Sequence, residues 1–316
     1  AMWIGVGIII AILAARTPYK VYRKAALPLL IVSIVGLIAV LQIGVVGGGS
    51  RRWIPIGSST LQPSEFAKFA VIAYLAAVLE RKDRLLGDVW HLLVPLAVSA
   101  GLCGLLVMLE PDLGTTLVIF GAAFAVVAAS SARLKHLAAT AAASIGGALL
   151  LALSSEYRRE RITSFLDPFS DPLGSGYQVI QSFVALGTGG AFGVGLGASR
   201  ARWSYLPNAH TDFIFAIIGE ETGFAGAVMV LLMFAVIAVA GYVIAMRAPD
   251  AFGRMLGVGI VSWISLQALI NIGGVVGLLP ITGMPLPFMS VGGSSILTVF
   301  AATGVLVNIA RNGRRA

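Results

Sequence analysis

Charge is scarce in this chain. Asp, Glu, Lys and Arg make up 11% of its 316 residues, against roughly a quarter in a soluble domain, so a soluble globular protein is excluded. Cysteine is almost absent: Cys103 stands alone in an apolar run, which excludes a disulfide framework and a cysteine-based metal site. The histidines His91, His136 and His210 fall in different segments without metal-ligand spacing. A Gly-x-x-x-x-Gly-Lys-Ser/Thr phosphate loop is missing as well. Gly193-Val194-Gly195-Leu196-Gly197 is too short for a dinucleotide fingerprint and lacks a strand-turn-helix context. An enzyme of this composition draws its driving force from an activated substrate rather than from nucleotide hydrolysis.

What the chain has is apolar sequence. Hydrophobic residues reach 58%, and the mean hydropathy is +0.94. Apolar runs lie near 2–15, 25–46, 62–80, 90–109, 113–130, 134–153, 213–246, 251–279 and 293–310. Continuous runs of about 20 residues fit helices crossing about 30 Å of hydrocarbon, whereas barrel strands would alternate apolar and polar positions. The pattern predicts an all-α polytopic membrane protein, one transmembrane domain over 1–316 with nine visible spans. The first run is short for a span and follows no polar leader, which predicts further sequence upstream, including another helix.

The net charge of +8 is mostly topological. With the loop at 16–24 placed in the cytoplasm, Arg16, Lys20, Arg23, Lys24, Arg81, Lys82, Arg84, Arg133, Lys135, Arg247, Arg254, Arg311, Arg314 and Arg315 all fall inside. No nucleic-acid partner is needed to explain them. Outside fall Arg51-Arg52, the break at Glu110-Pro111-Asp112, the loop 280–292 and one long segment, 154–212. That segment holds turn chemistry at 166–172, helical spacing from Gly176 to Ala185 and a glycine cluster from Gly187 to Gly197. The pattern predicts a partly helical flap on the outer membrane surface, its glycines allowing close backbone approach.

Charges near hydrocarbon are costly and so informative. Asp212 ends the outer loop and opens a long helix; it fits a helix N-cap, and it also fits a general base at the membrane boundary, near His210. Glu65 and Lys68 share one helix face after Gln62-Pro63-Ser64. They read as a structural ion pair, or as a cation facing a pyrophosphate together with Arg52, with Glu65 orienting Lys68. Glu220 and Glu221 carry the case for transport, although hydrogen bonding between helices and close packing through Gly219-x-x-x-Gly223 serve equally.

The motifs Arg51-Arg52-Trp53-Ile54, Gln62-Pro63-Ser64-Glu65-Phe66-Ala67-Lys68, Glu110-Pro111-Asp112-Leu113-Gly114-Thr115, Gly176-Tyr177-Gln178, His210-Thr211-Asp212-Phe213 with Gly219-Glu220-Glu221, and Leu286-Pro287-Phe288 with Gly292-Gly293-Ser294-Ser295 run in order along the chain. They resemble the SEDS family, the RodA and FtsW proteins. The resemblance implies a ten-helix bundle with a large extracellular loop. It implies a peptidoglycan glycosyltransferase polymerising lipid II on the outer face of the bacterial cytoplasmic membrane, with a class B penicillin-binding protein and the membrane proteins of the divisome or elongasome as partners. Asp212 then matches the family's essential loop aspartate. Trp53, Glu65 and Lys68 match positions lining one cavity, Arg52 matches a pyrophosphate contact, and His210 and Gln178 join the substrate-binding set. No cofactor is certain; a divalent cation, Mg2+ or Mn2+, is the one the chemistry leaves room for.

Asn208, Thr282 and Val291 depart from common family residues. Tyr205-Leu206-Pro207, Gly176-Tyr177-Gln178 and Ala216-Ile217-Ile218-Gly219 lean toward FtsW, while Phe66 and Thr282 lean toward RodA; the balance favours FtsW. Two rivals stay open on the residues alone, a lipid II flippase using Glu220 and Glu221, and a non-catalytic scaffold for a penicillin-binding protein.

Overall fold

The computed structural model describes residues 2–47, 50–57, 59–153, 164–174, 176–201 and 210–313. Each of the nine apolar runs coincides with a helix: α1 (Met2–Arg16), α2 (Lys20–Ile43), α3 (Pro63–Arg81), α4 (Trp90–Leu109), α5 (Leu113–Ala128), α6 (Leu134–Leu153), α8 (Ile214–Met246), α9 (Ala251–Val275) and α10 (Gly293–Gly313). The expected helix in the long loop forms as α7 (Tyr177–Gly189). By length and hydropathy α2, α4, α8, α9 and α10 can each cross a membrane, while α1 and α5 are apolar but shorter. Tyr205-Leu206-Pro207 and Asn208 lie outside the described residues.

Two features in the first half of the chain depart from the apolar pattern. The run 25–46 does not stay helical to its end. Gly44 turns to extended backbone, and the β-branched Val45-Val46 pair starts a small antiparallel sheet, β1 (Val45–Gly47), β2 (Ser50–Ile56) and β3 (Ser59–Leu61). Val45 pairs with Trp53 and Ile54 with Leu61. Hydropathy cannot separate a short apolar strand from the end of a helix. Within α4, Pro95 supplies no main-chain donor, and the helix passes through a π turn at Ala97–Gly101 where Ser99 Oγ bonds the Pro95 carbonyl at 2.7 Å.

The chain forms two compact units. The first takes Ala1–Ile145, Ala238–Leu266 and Gly293–Ala316. Its centre is α3, whose Ile72, Leu75 and Leu79 are fully buried. Pro63 at its first turn suits a position whose N–H has no helical partner. At the other end of this unit, Tyr19 donates its hydroxyl to Asp250 at 2.7 Å, and its main-chain N–H bonds the Asn308 side chain at 2.9 Å. That clasp joins the α1–α2 corner, the start of α9 and the end of α10.

The second unit takes Gly146–Ile237 and Gln267–Gly292. Here α8 is not the unbroken helix its apolar run predicts. Gly223 has φ +70° and ψ −167°, and the helix breaks there. The glycine loop after α7 supplies the main-chain partners that the break releases: Val194 and Gly195 donate to Glu220 and Glu221, and Phe224 and Ala225 donate to Gly190 and Ala191, all between 2.9 and 3.1 Å. Gly189 packs so closely on Gly219 that a Cβ would lie 2.0 Å from its carbonyl oxygen. The close approach expected of the glycine cluster is present.

Candidate active site

Asp212 sits in the turn 210–213 that leads into α8, half-buried beside a small cavity of about 10 Å³. The turn is held from behind. Asn271, near the end of α9, donates one amide hydrogen to the Asp212 carbonyl at 2.7 Å and the other to the Met284 carbonyl at 2.6 Å. Ser290 donates to the Thr211 carbonyl at 2.5 Å and accepts from the Leu286 N–H at 2.6 Å. The Val291 N–H bonds the His210 carbonyl at 3.1 Å. Gln267 fixes the same loop through the Pro285 carbonyl at 2.8 Å. The backbone on both sides of Asp212 is thus pinned to α9 and to the loop 280–292, as a group that must meet a substrate in one geometry requires. Gly283, at φ +73°, packs close to the carboxylate, and a Cβ there would lie 3.5 Å from Oδ2.

Glu65 and Lys68 belong to the first unit. The ammonium meets Glu65 Oε1 at 2.7 Å, with side-chain exposures of 0% for Lys68 and 1% for Glu65. Lys68 Nζ lies 5.1 Å from the centre of the Trp263 ring, and Thr298 Oγ1 stands 3.4 Å from Glu65 Oε2. A charge this deep is tolerable only with such partners. Lys68 is therefore an internal cation in this structure and presents no ammonium to solvent. The reading of the pair as a structural ion pair matches this geometry.

Arg52 and Trp53 are neighbours on β2, both partly buried. The Arg52 guanidinium closes on the link between α4 and α5, bonding the Glu110 carbonyl at 3.1 Å and the Pro111 carbonyl at 2.5 Å, with Asp112 Oδ2 at 3.8 Å. Asp112 also caps α5 through the Thr115 N–H at 3.0 Å and its hydroxyl at 2.9 Å. Glu110 is buried, and neither carboxyl oxygen has a hydrogen-bond partner. Burial, and after it the Asp112 charge, push its carboxyl up to about 9, with Arg52 opposing.

Gln178 lies partly buried in the first turn of α7, and His210 is exposed. Glu220 is buried, and its carboxylate accepts from Ser199 Oγ and from the main-chain N–H groups of Arg200 at 3.1 Å and Ala201 at 3.2 Å. It fastens the end of the glycine loop. That structural use accounts for the buried charge which had favoured transport. Among the described residues no group of three or more His, Cys, Asp or Glu converges as a metal cage.

The family model FTSW_RODA_SPOVE, described as cell cycle protein, matches residues 1–315. The chain belongs to this family. Stage V sporulation protein E of Bacillus subtilis (strain 168) is 42% identical over 315 residues, covering 99% of this chain and 86% of that protein. A protein named probable peptidoglycan glycosyltransferase FtsW, from Trichlorobacter lovleyi, is 40% identical over 307 residues, covering 96% of this chain and 80% of that protein. Among solved structures, one reported under "Structural coordination of polymerization and crosslinking by a peptidoglycan synthase complex" aligns with a TM-score of 0.81 at 28% identity, over 100% of this chain and 89% of that one. The rod shape determining protein RodA of Thermus thermophilus aligns with a TM-score of 0.73 at 26% identity, over 98% of this chain and 85% of that one. The helical membrane fold and the resemblance drawn from the motifs both stand.

Within this FtsW/RodA/SpoVE chain, the residues that hold the Asp212 turn were not visible as site residues in the sequence. Asn271, Ser290 and Gln267 are polar side chains in or beside an apolar helix and a loop. Polarity at a membrane depth is itself a signal of internal hydrogen bonding. It gives no indication that the acceptor is a main-chain carbonyl nearly sixty residues away in sequence, as at Asp212.

Proposed function

We propose that this chain is a peptidoglycan glycosyltransferase that polymerises lipid II on the outer face of the bacterial cytoplasmic membrane, working with a class B penicillin-binding protein and other division or elongation proteins. The observation that carries the reading is the clamped turn bearing Asp212, in a chain that shares its whole length with the family. Asp212 takes the proton from the C4 hydroxyl of the acceptor sugar. The hydroxyl oxygen attacks the anomeric carbon of the donor chain, and the bond to undecaprenyl pyrophosphate breaks, the leaving group keeping the electron pair. One carboxylate is assigned, so the two-carboxylate pattern of glycoside hydrolysis is not invoked. Arg52 and Lys68 support the reaction through the parts they hold, the α4–α5 link and the core of the first unit. Trp53, His210 and Gln178 serve substrate binding.

A divalent cation, Mg2+ or Mn2+, would be held by the pyrophosphate and water and would neutralise charge on the leaving group, while Asp212 takes the proton. The outward orientation rests on the placement of basic residues in the cytoplasmic loops. The division-type lean is supported by the names of the relatives.

The test is polymer formation from lipid II by purified wild type and Asp212→Asn, each with and without the partner and with added Mg2+ or Mn2+. Glycan strands from wild type but not from the variant are expected. Equal polymer from both would remove Asp212 as the base, and no polymer under any condition would favour a scaffold.

A further inference from the structure

We infer that the glycine loop 190–197 is a lipid anchor: Phe192 and Leu196, with Phe224 at the helix break, enter the acyl chains of the leaflet around the Phe224 end of α8 and hold the break in place. The inference uses the membrane fold and not the reaction proposed above.

The height of the loop follows from where α8 breaks. After Gly223 the helix runs from Phe224 to Met246 without a charged residue, about 34 Å at 1.5 Å per residue, against about 30 Å of hydrocarbon. Met229, Leu232, Val236 and Val239 on it are exposed, as lipid-facing side chains are. This part of α8 fills a bilayer by itself, which puts Phe224 at the boundary. Four main-chain bonds then bring the loop to the same level. Phe224 and Ala225 donate to Gly190 and Ala191, and Val194 and Gly195 donate to Glu220 and Glu221.

The loop is built to meet lipid with its side chains alone. Phe192 is 87% exposed, Leu196 84% and Phe224 71%; large apolar groups clustered in this way mark a surface that something covers. No charged residue occurs between Asp171 and Arg200 or between Glu221 and Arg247. The main chain is occupied internally: besides the bonds to α8, Gly193 donates to Gly189 at 2.7 Å and Ala198 to Gly195 at 3.2 Å. Irregular backbone approaches hydrocarbon only when its polar groups are bonded in this way. The patch is uncharged and continues the lipid-facing surface of α8, so the occupant that fits it is acyl chain.

The chain suits a test by site-directed spin labelling. Cys103 is buried, so a cysteine placed at an exposed position carries the accessible thiol. Phe192→Cys, Leu196→Cys and Phe224→Cys each replace a side chain that packs on little else. Val236→Cys, near the middle of the span, is the reference for hydrocarbon, and Arg84→Cys, in the charged loop after α3, the reference for water. Each full-length variant, without any partner protein, is labelled and placed in nanodiscs of phosphatidylethanolamine and phosphatidylglycerol. Collision of the label with oxygen, which concentrates among acyl chains, is compared with collision with a water-soluble nickel chelate.

The ratio of oxygen to nickel collisions at 192, 196 and 224 should exceed that at 84 several-fold and approach that at 236. A ratio equal to that at 84 would place the loop in water and overturn the anchor. Low collision with both reagents would mean that protein covers the patch, and would overturn it too. The holding role has its own readout. In Phe192→Ser/Leu196→Ser, amide hydrogen exchange at 194, 195, 224 and 225 in nanodiscs should quicken several-fold, with exchange in α3 unchanged; wild-type exchange rates at those four amides would overturn that role.

Discussion

The Lys68 ammonium and the Glu65 carboxylate meet at 2.7 Å, one helical turn apart on α3, with neither side chain reaching solvent. The pair is braced by the Trp263 ring on α9 and by Thr298 on α10. Removing the cation alone strands a buried charge, which costs about 3–5 kcal/mol. Lys68→Met should therefore sharply lower the melting temperature in detergent, and adding Glu65→Gln should restore most of the loss. A double variant no more stable than Lys68→Met would show that the two charges do not depend on each other.

Glu110 gives a pH dependence whose sign follows from its environment. Its carboxyl is raised from 4.5 to about 9, by burial first and by Asp112 second. The folded chain thus holds a proton that the unfolded chain releases. Stability from this group is complete below about pH 4.5 and drains away as pH rises toward 9. Glu110→Gln keeps the shape and has no proton to lose. Its melting temperature should exceed that of wild type at pH 8 and vary less between pH 5 and 9; parallel profiles for the two proteins would count against this account.

Gly223→Ala addresses the break in α8. A Cβ there would lie 2.4 Å from the Gly193 nitrogen and 2.5 Å from the Phe192 nitrogen, at a φ of +70°. Main chain cannot yield as a flexible side chain does, so folded yield should collapse. Gly146→Ala on α6 is the control: a Cβ there meets nothing within 4 Å, and it should be neutral or stabilising by up to about 1 kcal/mol.

The clasp at the first corner should respond to a single oxygen. Tyr19→Phe removes the 2.7 Å bond to Asp250, which keeps its contact with the Gly253 N–H at 2.7 Å. A loss of about 1–2 kcal/mol is expected by thermal or denaturant unfolding, with lipid II polymerisation at low temperature unaffected. A variant as stable as wild type would mean that Asp250 is satisfied without the phenol.

The helical architecture was legible because hydrocarbon demands long apolar runs with internal hydrogen bonding, and each run became a helix. The sheet was not legible, because Val45-Val46 continues the apolarity of α2 while Gly44 changes its backbone. Gln62-Pro63 announced the start of α3, and the spacing of Glu65 and Lys68 announced their pairing. Their depth was hidden, since burial depends on α9 and α10, far along the chain. Arg52 was legible as a cation on the outer side, but its hydrogen-bond acceptors are main-chain carbonyls, to which any sequence gives rise. Asp212 stood out as a charge at a boundary, whereas Asn271 is a polar residue whose importance comes only from what it touches.

The break at Gly223 bears on how the chain is assembled. A helix entering a bilayer during synthesis ordinarily closes its main-chain bonds from within, one turn after another. At this point α8 cannot, because Glu220, Glu221, Phe224 and Ala225 find their partners in residues 190–195. Those residues leave the ribosome earlier and must wait for the helix to arrive. The break in α8 is then completed only when an older loop and a newer helix exchange bonds across glycine.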